Sequence, residues 1–210
     1  MTLTAFFERA HVRVESLIVL MALVVAMSFI SPVFLSFSNI FNILLATATV
    51  GILAIGATFV ISAAGIDLSL GSVLGLSSVA GAAMAVYLGL PWPFVILGCL
   101  VAGSLAGFVN GLTVAIARVP AFIVTLGMMG IARGLALIIS NGQGIYGLPP
   151  EILFLGQARP LGVPTPAYIL VIVAVVSHFV LAHTRFGHHT LALGDNETAA
   201  RATGINVRRL

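Results

Sequence analysis

Six long apolar runs constrain this chain more than any other feature. A helix needs about 20 apolar residues, at about 1.5 Å each, to cross the hydrocarbon core of a bilayer. Only 7% of the residues are charged, against about a quarter in soluble domains. The sequence therefore predicts an all-α, polytopic membrane helix bundle with about six spanning helices. The runs cover residues 17–34, 40–64, 70–90, 94–117, 121–140 and 167–183.

Charge placement predicts how these helices are oriented. All nine basic residues are arginines, and they lie mostly between or beyond the apolar runs. If all six runs span, the N-terminus, the loop at Arg118 and the tail after Arg185 share one side. The positive-inside rule then makes that arginine-rich side cytoplasmic, with both ends of the chain there. Membrane orientation explains the basic balance better than nucleic-acid binding does.

The stretch Gly65-Ile66-Asp67-Leu68-Ser69-Leu70-Gly71-Ser72 interrupts the apolar pattern. Asp67 is the only carboxylate between Glu15 and Glu151. A lone acid between apolar segments is costly and usually has a function or a fixed partner. The flanking glycines permit backbone that leaves helical geometry, and transporters place such breaks near their substrate path. The sequence therefore predicts a glycine-bounded break near Asp67, which a re-entrant segment could also produce.

Each polar residue in or near the apolar runs has a structural interpretation beside a functional one. Asp67 either serves the pathway or caps the third helix, and Ser69 could be the cap instead. Asn110 either contacts substrate or makes an interhelical hydrogen bond, worth about 0.6 kcal/mol in membranes. Arg133 either extends to the outer interface or pairs with a carboxylate inside the bundle. These four residues are the candidates for a substrate pathway.

Small residues recur at a spacing that suits close helix packing. Gly103, Gly107 and Gly111 fall four residues apart on the fourth run, and Gly130 and Gly134 on the fifth. In membranes such residues allow helix backbones to approach each other. The pattern predicts a tight bundle and indicates no particular function.

Several classes of site receive no support from the residues present. Without a lysine the chain cannot form a P-loop, so it carries no ATP site of that kind. The single cysteine, Cys99, excludes an internal disulfide. His178 and His183 are five residues apart, which does not favour a shared helix face. No motif of an intramembrane hydrolase is present, and no metal site is expected.

Two polar connections follow the fifth run. Residues 141–165 hold many glycines and prolines, which is typical of a loop. In the hydrophilic tail, residues 194–204 predict one short helix, capped by Asp195 or Asn196 and stopped at Gly204. A helix shorter than about 12 residues is marginal alone in water. It must therefore dock, on its own bundle or on a partner, and Ala199 and Ala200 offer a small surface for that.

Three motifs now occur in order along nearly the whole chain. The first is the stretch 65–72 around Asp67. The second runs from Asn110-Gly111-Leu112 through Pro120-Ala121-Phe122-Ile123-Val124-Thr125-Leu126-Gly127 to Arg133-Gly134. The third runs from Thr184-Arg185-Phe186-Gly187 to Gly204-Ile205-Asn206-Val207. Together they closely resemble the ribose/xylose-type permease family of bacterial ABC sugar importers.

The resemblance implies one transmembrane permease domain over residues 1–210, in the bacterial inner membrane, with a cytoplasmic coupling segment at 185–210. It implies a transporter subunit rather than an enzyme, translocating a monosaccharide. The implied partners are an ATP-binding cassette subunit, a second permease subunit, a periplasmic sugar-binding protein and the lipid bilayer. ATP and Mg²⁺ are then used by the partner ATPase, and this chain needs no cofactor. The residues implied to couple to the ATPase are Gly194, Asn196, Glu197, Ala199, Ala200, Arg201 and Gly204.

Two expectations qualify the resemblance. Family members continue through several more spanning helices, so the chain is expected to be a C-terminally truncated piece. A secondary transporter or a channel would also use broken helices and a buried acid, but would work without an ATPase.

Overall fold

The computed structural model describes residues 14–207, with side chains from residue 17 onward, and it divides into two compact units, residues 1–44 and 45–210. Within this described range the chain is helical and contains no β-strand. The helices are α1 (Val14–Ile30), α2 (Phe37–Ser62), α3 (Leu70–Val86), α4 (Trp92–Ala117), α5 (Ala121–Ser140), α6 (Pro150–Gln157), α7 (Thr165–His183), α8 (Arg185–Asp195) and α9 (Glu197–Ala202), with a 3₁₀ turn at Pro160–Gly162.

The predicted all-α membrane architecture is confirmed. Four helices, α2, α4, α5 and α7, are long and apolar enough to cross a membrane. The apolar helices of the two other predicted spans are shorter, at Leu17–Ile30 and Leu70–Val86. At 17 residues, α3 is about 26 Å long, slightly less than the hydrocarbon core of about 30 Å.

In the first unit, a hydroxyl and an amide organise the start of α2. The Ser36 hydroxyl accepts a hydrogen bond from the backbone N–H of Asn39, at 3.3 Å, as an N-cap residue does. The Asn39 amide donates to the backbone oxygen of Phe34 at 2.8 Å. Polar residues in this turn thus satisfy an N–H in the first turn of α2 and a carbonyl oxygen of the turn before it.

In the second unit, α3 packs against both α4 and α5. Small side chains make the α3–α4 contact close. A Cβ atom added at Gly81 would lie 2.3 Å from the Cys99 sulfur, and one at Gly98 would lie 2.3 Å from the Met84 sulfur. Neither glycine could become alanine without displacing its neighbour. The buried apolar residues of α3, α4 and α5 include Ala85, Val95, Ala106, Met128 and Ala132.

The predicted glycine seam is wrong for most of its members. A Cβ atom at Gly103 would meet only the Ser77 hydroxyl, at 3.3 Å. At Gly107, Gly111, Gly130 and Gly134 it would meet nothing within 4 Å among the described residues. The closest approaches occur instead at Gly81 and Gly98.

Residues 141–165 are more ordered than their loop-like composition predicts. They contain α6 and the 3₁₀ turn. Pro149 is the N-cap of α6, Pro150 occupies its first position, and Glu151 lies in its first turn. Proline suits a helix start because the N–H that it lacks would be unpaired there anyway, and an acid there favours the helix dipole. The prolines taken as loop residues therefore begin a helix.

Candidate functional site

The predicted break between the second and third apolar runs is present, from the end of α2 at Ser62 to the start of α3 at Leu70. Its left-handed residue is Ala64, with φ of 59°, rather than either glycine of the motif. Gly65 is needed for space, since a Cβ there would lie 2.9 Å from the Val60 side chain and 3.1 Å from the Val60 backbone oxygen. At Gly71 a Cβ would meet nothing within 4 Å. The prediction that both glycines free the backbone is therefore wrong in its details.

Thr125, at the start of α5, holds the backbone of the break. Its hydroxyl accepts a hydrogen bond from the Leu68 N–H at 3.1 Å. The hydroxyl proton is shared between the backbone oxygens of Ile66, at 3.2 Å, and Phe122, at 3.3 Å. Thr125 is buried, so these bonds replace water that backbone groups in the break would otherwise need. Thr125 was not among the predicted site residues.

Asp67, Ser69 and Asn110 are brought together beside this anchor. One carboxylate oxygen of Asp67, Oδ1, accepts hydrogen bonds from the Ser69 N–H at 2.7 Å and from the Ser69 hydroxyl at 2.6 Å. The Asn110 Nδ2 amide group donates to the Ser69 hydroxyl oxygen at 3.1 Å. Ser69 is fully buried and Asn110 nearly so, whereas Asp67 is half-buried. A polar relay thus links α4 to the break.

The chemistry of the three groups fixes the direction of this relay. An ionised carboxylate only accepts hydrogen bonds, so the Ser69 hydroxyl must donate to Asp67 and accept from Asn110. The Asn110 amide must then point its nitrogen at Ser69. Its oxygen, Oδ1, is buried and meets no donor within the described part of the chain. An unpaired buried acceptor of this kind costs about 1–3 kcal/mol.

The structural interpretations of Asp67 and Asn110 can now be compared with these bonds. The predicted bond from Asn110 to another element is present, and it ends on Ser69. The N-cap residue of α3 is Ser69, although its side chain makes no capping bond. Asp67 bonds to Ser69 two residues later, which is an Asx turn and not a helix cap. A pathway role for these residues stays a prediction.

Arg133 lies apart from this group. It is an exposed residue of α5, next to the fully buried Ala132. Within residues 14–207 no hydrogen bond or ion pair involves Arg133. The structure therefore brings three of the four candidate pathway residues together, and the fourth stands on the outer face of its helix.

The tail contains two helices where the sequence predicted one. Thr184 is the N-cap of α8, and its side chain accepts a hydrogen bond from the Gly187 N–H at 3.3 Å. Gly194 and Asp195 form the end of α8 and not the start of the predicted helix. Asn196, one of the two predicted caps, is the N-cap of α9 and accepts from the Ala199 N–H at 3.0 Å.

Ala200 and Ala199 differ in a way that the sequence did not predict. Ala200 is only 4% exposed, whereas Ala199 and the other residues of α9 are exposed. Of the two alanines, Ala200 thus docks on its own chain, which is one of the two predicted alternatives, and Ala199 stays exposed. Glu197 and Arg201 form an exposed ion pair, with Arg201 Nε 3.0 Å from Glu197 Oε1. Such a pair contributes about 0.3–0.5 kcal/mol.

Gly204 ends the tail helix as predicted. It has φ of 87°, which favours glycine because the left-handed region is strained for other residues. The Ile205 N–H donates to the Ala200 oxygen at 3.1 Å, and the Gly204 N–H to the Arg201 oxygen at 3.0 Å. This bonding follows the Schellman pattern of helix ends.

The histidines lie closer together than their spacing suggested. The rings of His178 and His183 meet edge to face, with centroids 5.9 Å apart, although a spacing of five residues does not favour a shared helix face. No group of three or more His, Cys, Asp or Glu side chains suitable for a metal ion occurs in the described residues.

Comparison with known proteins places these features in a family. Residues 39–210 match the family described as the permease component of branched-chain amino acid transport systems. The chain belongs to this permease family. Because the family consists of transport components and the helices are apolar, the permease is a multi-pass protein of the bacterial inner membrane. Its similarity to ribose import permeases confirms the expected resemblance.

Individual relatives are similar along most of the permease. It is 42% identical to the ribose import permease protein RbsC of Escherichia coli K12 over 93% of this chain and 62% of that protein. It is 39% identical to RbsC of Haemophilus influenzae over 99% of this chain and 66% of that protein. It is 32% identical to the autoinducer 2 import permease LsrC of Escherichia coli O157:H7 over 97% of this chain and 59% of that protein. The chain thus spans about three fifths of the length of these curated relatives, and no solved structure matches it.

Proposed function

We propose that the permease is the membrane-spanning subunit of an ATP-driven importer that carries a monosaccharide across the bacterial inner membrane. The similarity to proteins named ribose import permease, over 93% of this chain, carries this proposal. Another similar protein is named a galactofuranose transporter permease, and the names of these two relatives both favour a sugar as the substrate. The permease acts with a second permease subunit, an ATP-binding subunit that uses ATP and Mg²⁺, and a periplasmic sugar-binding protein.

The shape of the tail supports contact with the ATP-binding subunit. With six residues, α9 is far below the length of about 12 residues at which isolated helices become stable. Ala200 docks it on its own chain, and its other residues are left exposed. A short helix that is held from one side and open on the others suits insertion into a groove on a partner. The proposed contact residues are Asn196, Glu197, Ala199, Arg201 and Gly204, with Gly194 and Ala200 supporting them from behind.

The relay at the break supports a role in the substrate pathway. Sugars present hydroxyl groups, which both donate and accept hydrogen bonds, and the buried Asn110 Oδ1 is an acceptor without a donor in the described residues. In this conformation a sugar could reach it only if α3 and α4 separated. Asp67, half-buried beside it, would then offer a second acceptor. Arg133 is exposed on α5. We propose it as a pathway residue only if another helix or subunit covers this surface of α5.

Orientation follows from arginine placement. We place both ends of the chain in the cytoplasm, together with the loop at Arg118, because the positive-inside rule favours arginine there. Arg9, Arg13, Arg208 and Arg209 contribute to this argument and lie outside the described residues.

The exposed face of α9 provides the test. Ala199→Trp adds a large side chain to a surface that faces away from the permease itself, so insertion and folding should be retained. Co-purification of the ATP-binding subunit and ATP-dependent ribose uptake should both fall. Gln157→Trp, an exposed change at the end of α6 on the proposed opposite side, is the matched control. If Ala199→Trp retains the partner and the uptake as Gln157→Trp does, α9 is not the contact with the ATP-binding subunit.

A further inference from the structure

The end of α8 rests directly on the backbone of α2. A Cβ atom at Gly194 would lie 2.1 Å from the Ser62 oxygen, 2.9 Å from its carbonyl carbon and 3.3 Å from the Ala64 nitrogen. Backbone atoms cannot rotate away as a side chain can. Any residue larger than glycine at position 194 must therefore move α8, the end of α2, or both.

A second contact joins the same two helices. The rings of Phe186, at the start of α8, and Phe59, in the last turns of α2, have centroids 6.4 Å apart. Phe186 and Gly194 lie near opposite ends of α8, so the helix meets α2 at two points along its length. A helix held at two points is fixed in direction as well as in position.

The other end of α8 is held as tightly. A Cβ at Gly187 would lie 2.1 Å from the Leu181 oxygen of α7, and Thr184 caps the new helix at this corner. At the far end, Asn196 connects α8 to α9 without an intervening loop. Only one residue thus separates α9 from α8, and a displacement of α9 reaches α8 through it.

The residues under Gly194 lead straight into the break. Ala64 has the left-handed conformation, which is strained for a residue other than glycine and has the ordinary helical conformation as its alternative. Three residues further on is Asp67, whose carboxylate is bonded to Ser69. Beyond Ala64, Thr125 and Asn110 hold the break to α5 and α4. A displacement of Ala64 therefore acts on a segment whose far end, at Leu68 and Ser69, is fixed by hydrogen bonds.

We propose that Gly194 is a positioning residue through which movement of the tail reaches the Asp67 break, with Ala64 as the hinge. The inference deepens the proposed function and rests on it for the source of the movement, the ATP-binding subunit at α9. The contact itself belongs to this chain and can be tested without that partner.

The first experiment measures how accessible the break is to a thiol reagent in the absence of nucleotide. Ile66, exposed in the break, is changed to cysteine in a Cys99→Ser background, and its labelling by a water-soluble maleimide is timed in membranes. Gly194→Ala should change the labelling rate about threefold or more, because it shifts the local opening of the break. Gly56→Ala, in α2, is the matched control: an added Cβ there meets nothing within 4 Å, so the rate should stay unchanged. Equal rates in the two variants would overturn the inference.

The second experiment adds the ATP-binding subunit. ATP turnover should alter the Ile66→Cys labelling rate in the parent and in Gly56→Ala. Gly194→Ala should lose both the nucleotide-dependent change and the sugar uptake, and the amount of bound subunit is measured in the same sample so that the labelling rates are compared per assembled complex. A nucleotide-dependent change that survives Gly194→Ala would overturn the inference.

Two further arms keep the test decisive. If Gly194→Ala fails to accumulate, Phe186→Leu takes its place, because it weakens the second contact between α8 and α2. Phe186→Leu should change the labelling rate of Ile66→Cys by a smaller factor. An unchanged rate would contradict the inference. If the parent shows no ATP-dependent uptake, the proposed function fails, while the nucleotide-free comparison of Gly194→Ala with Gly56→Ala still decides whether the tail controls the break.

Discussion

At the scale of single residues, both described hydrogen bonds to the Asp67 carboxylate end on the same oxygen, Oδ1. Asparagine at this position keeps an acceptor for both bonds and removes the charge. Since charge-assisted hydrogen bonds are about twice as strong as neutral ones, Asp67→Asn should weaken the relay by about 1 kcal/mol and leave the fold intact. Sugar uptake should fall while the amount of protein in the membrane holds.

The control for Asp67→Asn is Glu151→Gln, which removes an exposed carboxylate from α6. Asp67→Leu should be worse than Asp67→Asn, because it leaves the buried Ser69 hydroxyl without its acceptor, at a cost of about 1–3 kcal/mol. Normal uptake by Asp67→Asn would leave the carboxylate with only its role in shaping the break.

Thr125 gives a second prediction at this scale. Thr125→Val preserves shape but leaves the Leu68 N–H without its acceptor, which should cost about 1–3 kcal/mol. Thr58→Val is the matched control, because the exposed Thr58 hydroxyl bonds only to the Ala54 oxygen of its own helix. The measurement is thermal stability in detergent, followed by monodispersity after heating. Equal stability of the two variants would mean that Thr125 does not anchor the break.

At the scale of elements, the two glycines of the break should respond differently to the same change. Gly65→Ala would place its Cβ 2.9 Å from the Val60 side chain and should destabilise by about 1–3 kcal/mol, as overpacking does. Gly71→Ala adds its Cβ in open space inside α3 and should be neutral or stabilise by up to about 1 kcal/mol. Thermal stability in detergent again separates them. A greater loss in Gly71→Ala would show that the break has another geometry.

The two alanines of α9 form another such pair. Ala200→Trp should detach α9 from α8, because the site is buried, and should make the tail sensitive to protease in the permease alone. Ala199→Trp should leave the tail resistant. Limited proteolysis of both variants in membranes provides the measurement. Resistance in both would mean that Ala200 does not hold α9.

The elements differ in how far the sequence could predict them. The apolar spans could be located because hydropathy over about 20 residues depends on length and composition alone. The break could be located from Asp67, but its left-handed residue could not, because nothing in an alanine side chain favours that conformation. Thr125 was missed because a threonine in an apolar helix usually bonds to its own helix, as Thr58 and Thr113 do.

In the tail, the helix ends could be predicted from the sequence, whereas the packing could not. The Asn196 cap and the Gly204 stop could be predicted, since both depend on local backbone chemistry. The helix α8 before them was missed, and so was the difference in burial between Ala199 and Ala200. Both depend on which part of the chain the tail packs against. The contact between Gly194 and the end of α2 is visible only in the folded structure.

At the scale of the whole molecule, the contact of Gly194 with Ser62 puts the tail and the break at the same end of α2. If the tail lies in the cytoplasm, as proposed, the break must also lie at the cytoplasmic side of the membrane. Cysteines at Ile66 and at Asn206, in a Cys99→Ser background, should both be protected from an impermeant thiol reagent in intact cells. A cysteine at Gln157 should react. Reaction at Asn206 would contradict the proposed orientation.

The most direct measurement is ribose uptake by the permease in proteoliposomes that contain or lack the ATP-binding subunit, with the sugar-binding protein supplied on the substrate side. The account predicts accumulation only when the ATP-binding subunit and hydrolysable ATP are both present. Accumulation without that subunit, driven by an ion gradient, would identify a secondary transporter, and equilibration without accumulation would identify a channel. Either result would contradict the account.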